Sequence, residues 1–165
     1  MGAWKLEKGA LIGSPSEPQG RAILQTSITF PDEYDLTLVL ERTEGLNNFW
    51  LGLVGGGKSF MLHFDAYGGT VSGPQPLDGK DVKANGVGVK ERLLTNGKPR
   101  TVVVLVRKNS LTVQADGKEF LAWKTDWSRV TPEPEVRPKD PKALWMGVSG
   151  TTYKVHRMTL SFPKN

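Results

Sequence analysis

Residues 47–67, NNFWLGLVGGGKSFMLHFDAY, decide the fold of this chain. On both sides of the glycine run 55–57, every second residue is apolar. These apolar positions are Phe49, Leu51, Leu53, Phe60, Leu62 and Phe64. A period of two is the signature of a β-strand with one face against a core. The segment therefore predicts two strands joined by the glycines into a hairpin.

The same segment also matches a phosphate-binding loop, G-x-x-x-x-G-K-[ST], from Gly52 to Ser59. That motif needs a helix after the loop, whose N-terminus faces the phosphates. Residues 60–67 alternate with period two instead and predict a strand. We therefore interpret the glycines as a hairpin loop tipped by Lys58, and not as a nucleotide site.

The rest of the chain repeats the strand pattern. Alternating or continuously apolar segments are residues 23–30, 34–43, 101–108, 110–115, 118–123, 143–149 and 153–162. Asp116-Gly117 suits a two-residue turn between two of them. Since no helical segments separate these strands, they must pair antiparallel, and two stacked sheets protect their edges. We predict an all-β protein, a two-sheet antiparallel β-sandwich of jelly-roll type.

Length and composition agree with one such domain. The chain has 165 residues, with 19 glycines and 11 prolines, which favours a turn-rich β protein. We expect a single sandwich domain over residues 1–165. Residues 131–142, TPEPEVRPKDPK, carry four prolines and are predicted to form a surface loop within it. Met1-Gly2 fits a start placed before a domain taken from a larger protein.

Charge and cysteine content exclude several classes of function. The net charge is +5, but lysines and arginines are scattered, so we expect a solvated surface and no nucleic-acid partner. No apolar run approaches the roughly 18 residues that span a bilayer, so we expect no membrane partner. The absence of cysteine excludes disulfides and thiolate metal sites.

The polar side of the central hairpin carries the candidate binding residues. If the two strands pair, one sheet face collects Asn48, Trp50, His63, Asp65 and Tyr67. Aromatic rings stack on sugar rings, and amide, imidazole and carboxylate groups exchange hydrogen bonds with sugar hydroxyls. The face therefore indicates a carbohydrate site. In the alternative interpretation, Trp50 covers the sheet beneath the proline-rich loop, and His63 and Asp65 form an ordinary pair.

Two other tryptophans raise the same question. Trp145 alternates with Leu144 and Met146, so it faces away from them and is a further candidate stacking surface. Trp127 lies in a loop, where it caps a groove or plugs the end of the sandwich.

The sequence provides little for catalysis or metal binding. Only two histidines are present, and no catalytic residue or metal ligand is assigned. It is left open whether Glu41 and Asp65 meet across strands and form an acid/base pair. Calcium is also left open as a cofactor, through loop oxygens of Asp78, Asp81 and Asn85 that match no motif.

The order of these segments resembles a known family. YDLTLVLERTEGLNNFWLGLVGGGKSFMLHFDAYGG, then NGKPRTVVVLVRKNSLTVQADGKEFLAWKTDWSRV and a closing ALWMGVSGTTYKVHRMTLSF resemble the concanavalin A-like (laminin-G-like) modules of planctomycete proteins. More distantly, residues 24–162 are similar to the 3-keto-disaccharide hydrolase domain family. The resemblance implies a two-sheet jelly roll whose concave face binds carbohydrate, within a larger exported or cell-surface protein that has other domains.

Three functions follow as hypotheses. The first is a non-catalytic carbohydrate-binding module that recognises a polysaccharide or oligosaccharide on its concave sheet face. The second is a glycoside-processing enzyme of the 3-keto-disaccharide type, with Asp65 or Glu41 as acid/base. On the strand where that family carries an acidic residue, this chain has His63 and Asp65 and so departs from the family pattern. The third is a structural or protein-interaction domain whose polar face binds a neighbouring domain.

Overall fold

A computed structural model describes residues 2–133, 136 and 138–163 of the chain. Its elements are β1 Ala3–Glu7, β2 Ala10–Ser14, β3 Arg21–Thr29, β4 Tyr34–Arg42, β5 Phe49–Gly55, β6 Lys58–Asp65, α1 Ala66–Gly69, β7 Val71–Gln75, β8 Arg100–Arg107, β9 Ser110–Ala115, β10 Lys118–Lys124, β11 Ala143–Ser149 and β12 Tyr153–Ser161. In the described part of the chain, no helix has the length and apolar character needed to cross a bilayer.

The strands form two antiparallel sheets. One has seven strands in the order β1-β2-β12-β4-β8-β9-β10, and the other has five in the order β3-β11-β5-β6-β7. The core lies between them, where Leu36, Leu38 and Leu40 of β4 face the apolar side of β5 and β6. The predicted two-sheet antiparallel β-sandwich is confirmed.

The central hairpin has the predicted geometry. β5 and β6 pair from Phe49–Phe64 to Gly55–Lys58, with Gly56 and Gly57 alone in the turn. Their φ angles are 56° and 76°. A two-residue turn with positive φ at both positions matches the twist of the strands and favours glycine. Because β6 follows where a phosphate loop requires a helix, the match to that motif has no structural counterpart.

On the outer face of the five-stranded sheet, two tryptophans lie across glycines of the neighbouring strand. Trp50 of β5 pairs with Gly147 of β11, and Trp145 of β11 pairs with Gly52 of β5. A Cβ atom on Gly147 would come within 2.3 Å of Trp50 Cζ2, and one on Gly52 within 1.7 Å of Trp145 Nε1. Glycine in a strand often marks such a close approach. Both indoles are thereby held against the sheet.

The described residues of the proline-rich segment, 131–133, 136 and 138–142, lie over this outer face, and we call them the strap. Residues 134, 135 and 137 of the predicted loop lie outside the described residues. Its Val136 packs with Trp50, Met61 and Trp145. The backbone N–H of Lys139 donates to Gln25 Oε1 of β3 at 3.0 Å. Because proline has no N–H group, such a segment covers an apolar face with few donors left to satisfy.

Trp127 plugs the sandwich. It is 1% exposed, and its ring lies 5.2 Å from that of Phe60 and 5.8 Å from that of Trp123. Its Nε1 donates to the carbonyl oxygens of Arg107 and Lys108, each at 3.1 Å. The sequence left open whether Trp127 caps a groove or fills the end of the sandwich, and the structure shows that it fills the end of the sandwich.

Candidate functional site

A groove of about 460 Å³ lies on the outer face of the five-stranded sheet, beside the strap. Trp50, Met61 and His63 line it from β5 and β6. The other polar and charged residues of the lining are Arg21, Asn47, Asn48, Tyr67, Gln75, Asp81, Glu133 and Ser149. A volume of this order lies within the range of about 300–1,000 Å³ that is typical of small-molecule sites. We call it the polar groove.

The polar groove brings together four of the six predicted site residues, namely Asn48, Trp50, His63 and Tyr67. Trp145 and Asp65 do not line it. The four come from two short parts of the chain, β5 with the residue before it and β6 with the turn after it. The hairpin register, which pairs Trp50 with His63, places them on one face.

His63 presents a fixed neutral donor to the polar groove. Asn48 Nδ2 donates to His63 Nδ1 at 2.7 Å, and this hydrogen bond leaves the ring proton on Nε2. Burial, helped by the positive charge of Arg21, lowers the pKa of His63 to about 3, so the ring is neutral near pH 7. Its buried Nε2 has no hydrogen-bond partner within the described ranges.

Trp50 lies beside His63 and lines the polar groove with it; we call these two side chains the floor of the groove. Its ring is stacked against that of His63 at 5.9 Å between centroids and an interplanar angle of 23°. Among the residues that the structure describes, its buried Nε1 also lacks a partner. Buried donors are normally satisfied, and both of these N–H groups belong to residues that line the polar groove, which makes them candidates for a ligand or water oxygen. With Trp50 only 2% exposed, the interpretation that it covers the sheet beneath the loop also fits the geometry.

Tyr67 stands at the rim of the polar groove on a strained turn. Asp65 and Tyr67 have φ angles of 55° and 53°, a region that costs a non-glycine residue on the order of 1–3 kcal/mol. Tyr67 is 49% exposed, and its hydroxyl donates to Asp81 Oδ2 at 2.5 Å. This hydrogen bond is the main reason that the pKa of Asp81 lies below its usual value, so the carboxyl is ionised near pH 7. Lys83 Nζ lies 5.4 Å from the centre of the Tyr67 ring.

Asp65 lies elsewhere, which corrects its predicted position beside His63. It is fully buried, and its Oδ2 is 2.9 Å from Arg42 Nη1. The backbone N–H groups of Leu93 and Leu94 donate to its two carboxylate oxygens at 2.7 and 3.0 Å. Burial raises the pKa of Asp65, and these two N–H donors and Arg42 oppose the rise. The left-handed backbone at Asp65 ends the alternation of β6, so its side chain leaves the His63 face.

Trp145 faces outward from β11, as its alternation predicts, but it is not an open surface. It is 4% exposed because it lies between Gly52 and the strap. It lines a second groove of about 510 Å³ together with strap prolines and Met61.

The acid/base pair left open from the sequence is not assembled. Glu41 Oε2 lies 2.6 Å from His156 Nε2, toward the outside of the seven-stranded sheet. Asp65 instead pairs with Arg42, the next residue of β4, whose side chain points to the interior. Successive side chains of a strand point to opposite faces, so Glu41 and Asp65 lie on opposite sides of the sheet.

The loop oxygens considered for calcium have other partners. Asp78 Oδ2 accepts from Arg129 Nε at 2.7 Å, and Asn85 Oδ1 accepts from the N–H of Val87 at 2.9 Å. Asp81 Oδ1 accepts from the backbone N–H groups of Lys83 and Ala84. Within the described ranges, no group of three or more histidine, aspartate or glutamate side chains is placed to hold a metal ion.

Comparison with models of protein families gives no match, and neither does comparison with curated protein sequences. Solved structures do match. The carbohydrate binding module CBM66 from Bacillus subtilis superposes with a TM-score of 0.66 at 9% identity, covering 98% of this chain and 92% of that one. The Ca²⁺-bound exoplasmic/lumenal domain of VIP36 gives 0.69 at 11% identity, covering 100% and 83%.

A third likeness is to the galectin LEC-6 from Caenorhabditis elegans, with a TM-score of 0.52, 12% identity and coverage of 93% and 96%. At such identities the likeness concerns the fold alone. It confirms the predicted concanavalin A-like class of β-sandwich, which this chain shares with lectin-type domains.

Proposed function

We propose that this chain is a non-catalytic carbohydrate-binding module whose polar groove takes a neutral sugar. The observation that carries the proposal is the floor of that groove, where buried His63 Nε2 and Trp50 Nε1 have no partner among the described residues. The fold supports it, because the similar structures include a carbohydrate binding module and VIP36 in a Ca²⁺/Man2-bound form.

The polar groove offers complementary groups to a sugar hydroxyl, which both donates and accepts. The buried His63 and Trp50 N–H groups are the donors that such a hydroxyl would satisfy, and Glu133 and Ser149 add acceptor oxygens to the lining. The half-exposed ring of Tyr67 offers an aromatic face to the C–H side of a sugar ring. The wall carries charges of both signs, Arg21 against Asp81 and Glu133, so no single charge selects an ionic sugar, which fits a neutral one.

The same groups argue against hydrolysis in this groove. A general acid or base must exchange a proton near the working pH. His63 has its proton on Nε2, stays neutral down to about pH 3 and has Nδ1 occupied by Asn48. Asp81 is held ionised and is therefore a poor acid, and both of its oxygens already accept hydrogen bonds, so neither is free to act as a base. Binding without turnover fits these groups better than the glycoside-processing alternative.

The proposal does not require calcium. VIP36 is similar in fold in its Ca²⁺-bound form. In this chain, however, the loop oxygens of Asp78, Asp81 and Asn85 are occupied by arginine, tyrosine and backbone donors. We therefore propose that sugar binding persists without the metal.

Retention on a panel of polysaccharides in affinity gels, with calcium or with a chelator, tests the proposal. We expect retention on one glycan class in both conditions. Tyr67→Ala removes the exposed ring of the groove and should abolish retention. Phe162→Ala, which removes a ring that is 76% exposed at the end of the chain, is the matched control and should be retained like the wild type.

Two results would contradict the proposal. If Tyr67→Ala is retained as well as Phe162→Ala, the polar groove is not the sugar site. If no glycan retains the wild type, the groove is better explained as a docking surface for a neighbouring domain. Retention lost only with the chelator would overturn the calcium-independent part.

A further inference from the structure

The seven-stranded sheet has one incomplete ladder, on the side of β12 that faces β2. β4 pairs with β12 from Tyr153 to Ser161, but β2 pairs with its other side only from Tyr153 to Val155. Among the described residues, no strand pairs with that side of β12 beyond Val155. The backbone of Arg157–Ser161 can therefore accept one more strand. We call this five-residue stretch the open edge.

The open edge leaves part of the core exposed. Met158 and Leu160 point inward, because they pair with Leu38 and Leu36 of β4, which are fully buried. Both pack against the core but are only partly buried. Since the strand on one side of them is completely covered, their exposure lies on the side where no strand is paired. An added strand would remove this apolar surface from water.

The other edges of the two sheets carry features that discourage strand addition. β1 is short and bears an ion pair of Lys5 and Glu7 at 2.6 Å. β10 has a register shift between Glu119 and Leu121, and β7 contains Pro74. The ladder of β3 with β11 has a register shift as well. Charges, bulges and proline are the usual protection of an edge against a further strand.

The open edge has little of this protection within its own length. Its sequence RMTLS contains no proline or glycine, and Arg157 is its only charge. The register shift of β12 against β4 lies before Arg157, so the pairing from there to Ser161 is regular. Arg157, Thr159 and Ser161 are exposed. A regular, exposed edge with apolar residues toward the core favours pairing with another strand of the same pattern.

The sequence of the open edge is complementary to itself. In an antiparallel pair of two copies centred on Thr159, Met158 lies opposite Leu160 on the core side, twice. On the outer side, Arg157 lies opposite Ser161, and Thr159 lies opposite its own counterpart. Apolar pairs and threonine pairs directly across two strands stabilise a sheet, while like charges there destabilise it. No like charges face each other in this register.

The two ends of the open edge are flanked by opposite charges. Lys8 is exposed at the tip of the β1–β2 hairpin, next to the Arg157 end. Asp32 is exposed in the turn before β4, whose Asp35 pairs with Ser161 at the other end. An antiparallel arrangement brings the first end of one copy beside the second end of the other. Lys8 of each copy then lies on the side of Asp32 of the other, and this charge complementarity favours a second copy as the partner.

We propose that the open edge binds the open edge of a second copy of this chain and so forms a two-fold homodimer. The seven-stranded sheets of the two copies then continue into each other through their β12 strands. Two-fold dimers are the commonest symmetric assemblies. Because paired residues point to the same sheet face, the two-fold axis is perpendicular to the sheet, and both polar grooves face the same side. The interface does not depend on the proposed function; only its use for bivalent sugar binding rests on it.

A single cysteine at the centre of the open edge tests the pairing directly, because the chain has no cysteine of its own. Residues opposite each other in an antiparallel pair have Cα atoms about 4.5–5.5 Å apart, a separation that a disulfide can bridge. Thr159→Cys should therefore give a disulfide-linked dimer on a non-reducing gel after mild oxidation. Thr112→Cys is the matched control, because Thr112 lies in β9, between β8 and β10, and should give no linked dimer.

Charge at Ser161 tests the register. Ser161→Arg places an arginine opposite Arg157 of the other copy at both ends of the interface, so the dissociation constant of the dimer should rise about fivefold. Ser161→Glu faces the same arginines and should lower that constant by a similar factor. Sedimentation velocity over a range of protein concentrations measures both. Because Ser161 is exposed, both variants should remain folded, and Thr112→Arg should keep the wild-type dissociation constant.

The outcomes decide between this interface and its rivals. A wild-type chain that stays monomeric at millimolar concentration would refute the homodimer, and the open edge would then be left to a strand of a different chain. Equal cross-linking of Thr112→Cys and Thr159→Cys would show random collision and refute it too. A dimer with the same dissociation constant in Ser161→Arg and Ser161→Glu would use another surface. Dimerisation without glycan retention would uphold the interface while the proposed function fails.

Discussion

Replacing Asp65 with alanine should damage the fold and not the sugar site. The variant removes the anionic partner of Arg42, which is 1% exposed, and leaves its charge buried and unpaired. It also removes the acceptor for the backbone N–H groups of Leu93 and Leu94. Removing one partner of a buried ion pair costs about 3–5 kcal/mol, and each unsatisfied donor adds to this. We therefore expect a value at the upper end of that range.

The magnitude is measurable by thermal or urea unfolding. For a domain of this size, each kcal/mol lowers Tm by about 2–4 °C, so a loss near 5 kcal/mol should lower the Tm of Asp65→Ala by about 10–20 °C. Asp78→Ala is the matched control, because Asp78 pairs with Arg129 at the surface and is half exposed. A surface pair is worth about 0–1 kcal/mol. The folded fraction of Asp65→Ala should retain glycan like the wild type.

If Asp65→Ala unfolded at nearly the temperature of Asp78→Ala, Asp65 would not stabilise the core as the structure indicates. If it also lost glycan retention, Asp65 would belong to the binding site, as its alternation with His63 first indicated.

Three other changes act on the groove and its sheet. Because burial lowers the pKa of His63 to about 3 in the folded chain, against about 6.5 when unfolded, protonation favours the unfolded state below pH 6.5. Stability should fall by about 2 kcal/mol from this group between pH 7 and 5, and urea unfolding of His63→Gln should show a correspondingly smaller fall. Gly147→Ala places a Cβ within 2.3 Å of Trp50, so it should lower the free energy of unfolding by about 1–3 kcal/mol and weaken glycan retention. An unchanged free energy of unfolding and unchanged retention would contradict the close packing. Tyr67→Phe keeps the ring but removes the hydrogen bond to Asp81. NMR titration should therefore show the pKa of Asp81 raised toward its ordinary value, while glycan retention persists. An unchanged pKa of Asp81 would show that this hydrogen bond is not formed.

Much of the fold could be predicted from local patterns. The period of two in β4, β5 and β6 determines which side chains face the core, and the turn glycines determine the hairpin. These signals are local because strand alternation and turn conformation depend on neighbouring residues. The short strands β1, β2 and β7 were not predicted. β7, VSGPQ, contains glycine and proline, and neither residue favours a strand interior.

The candidate site was predictable only in part. Alternation correctly placed Trp50 and His63 on one face, because both lie inside regular strands. It failed at Asp65, where the backbone becomes left-handed and the carboxylate turns to a partner in β4. The burial of Trp145 depends on Gly52 of another strand and on the strap, which no local pattern records. Contacts of this kind arise only when the sheets assemble.

The most direct test of the central claim follows the side-chain N–H resonances of Trp50 and His63 by NMR during titration with the retained glycan. Trp127 is the internal reference, because its Nε1 is already bonded to Arg107 and Lys108 inside the sandwich. We expect the Trp50 and His63 signals to shift with one common affinity while the Trp127 signal stays in place. Unmoved Trp50 and His63 signals at saturating glycan would contradict it, because the sugar would then bind outside the polar groove.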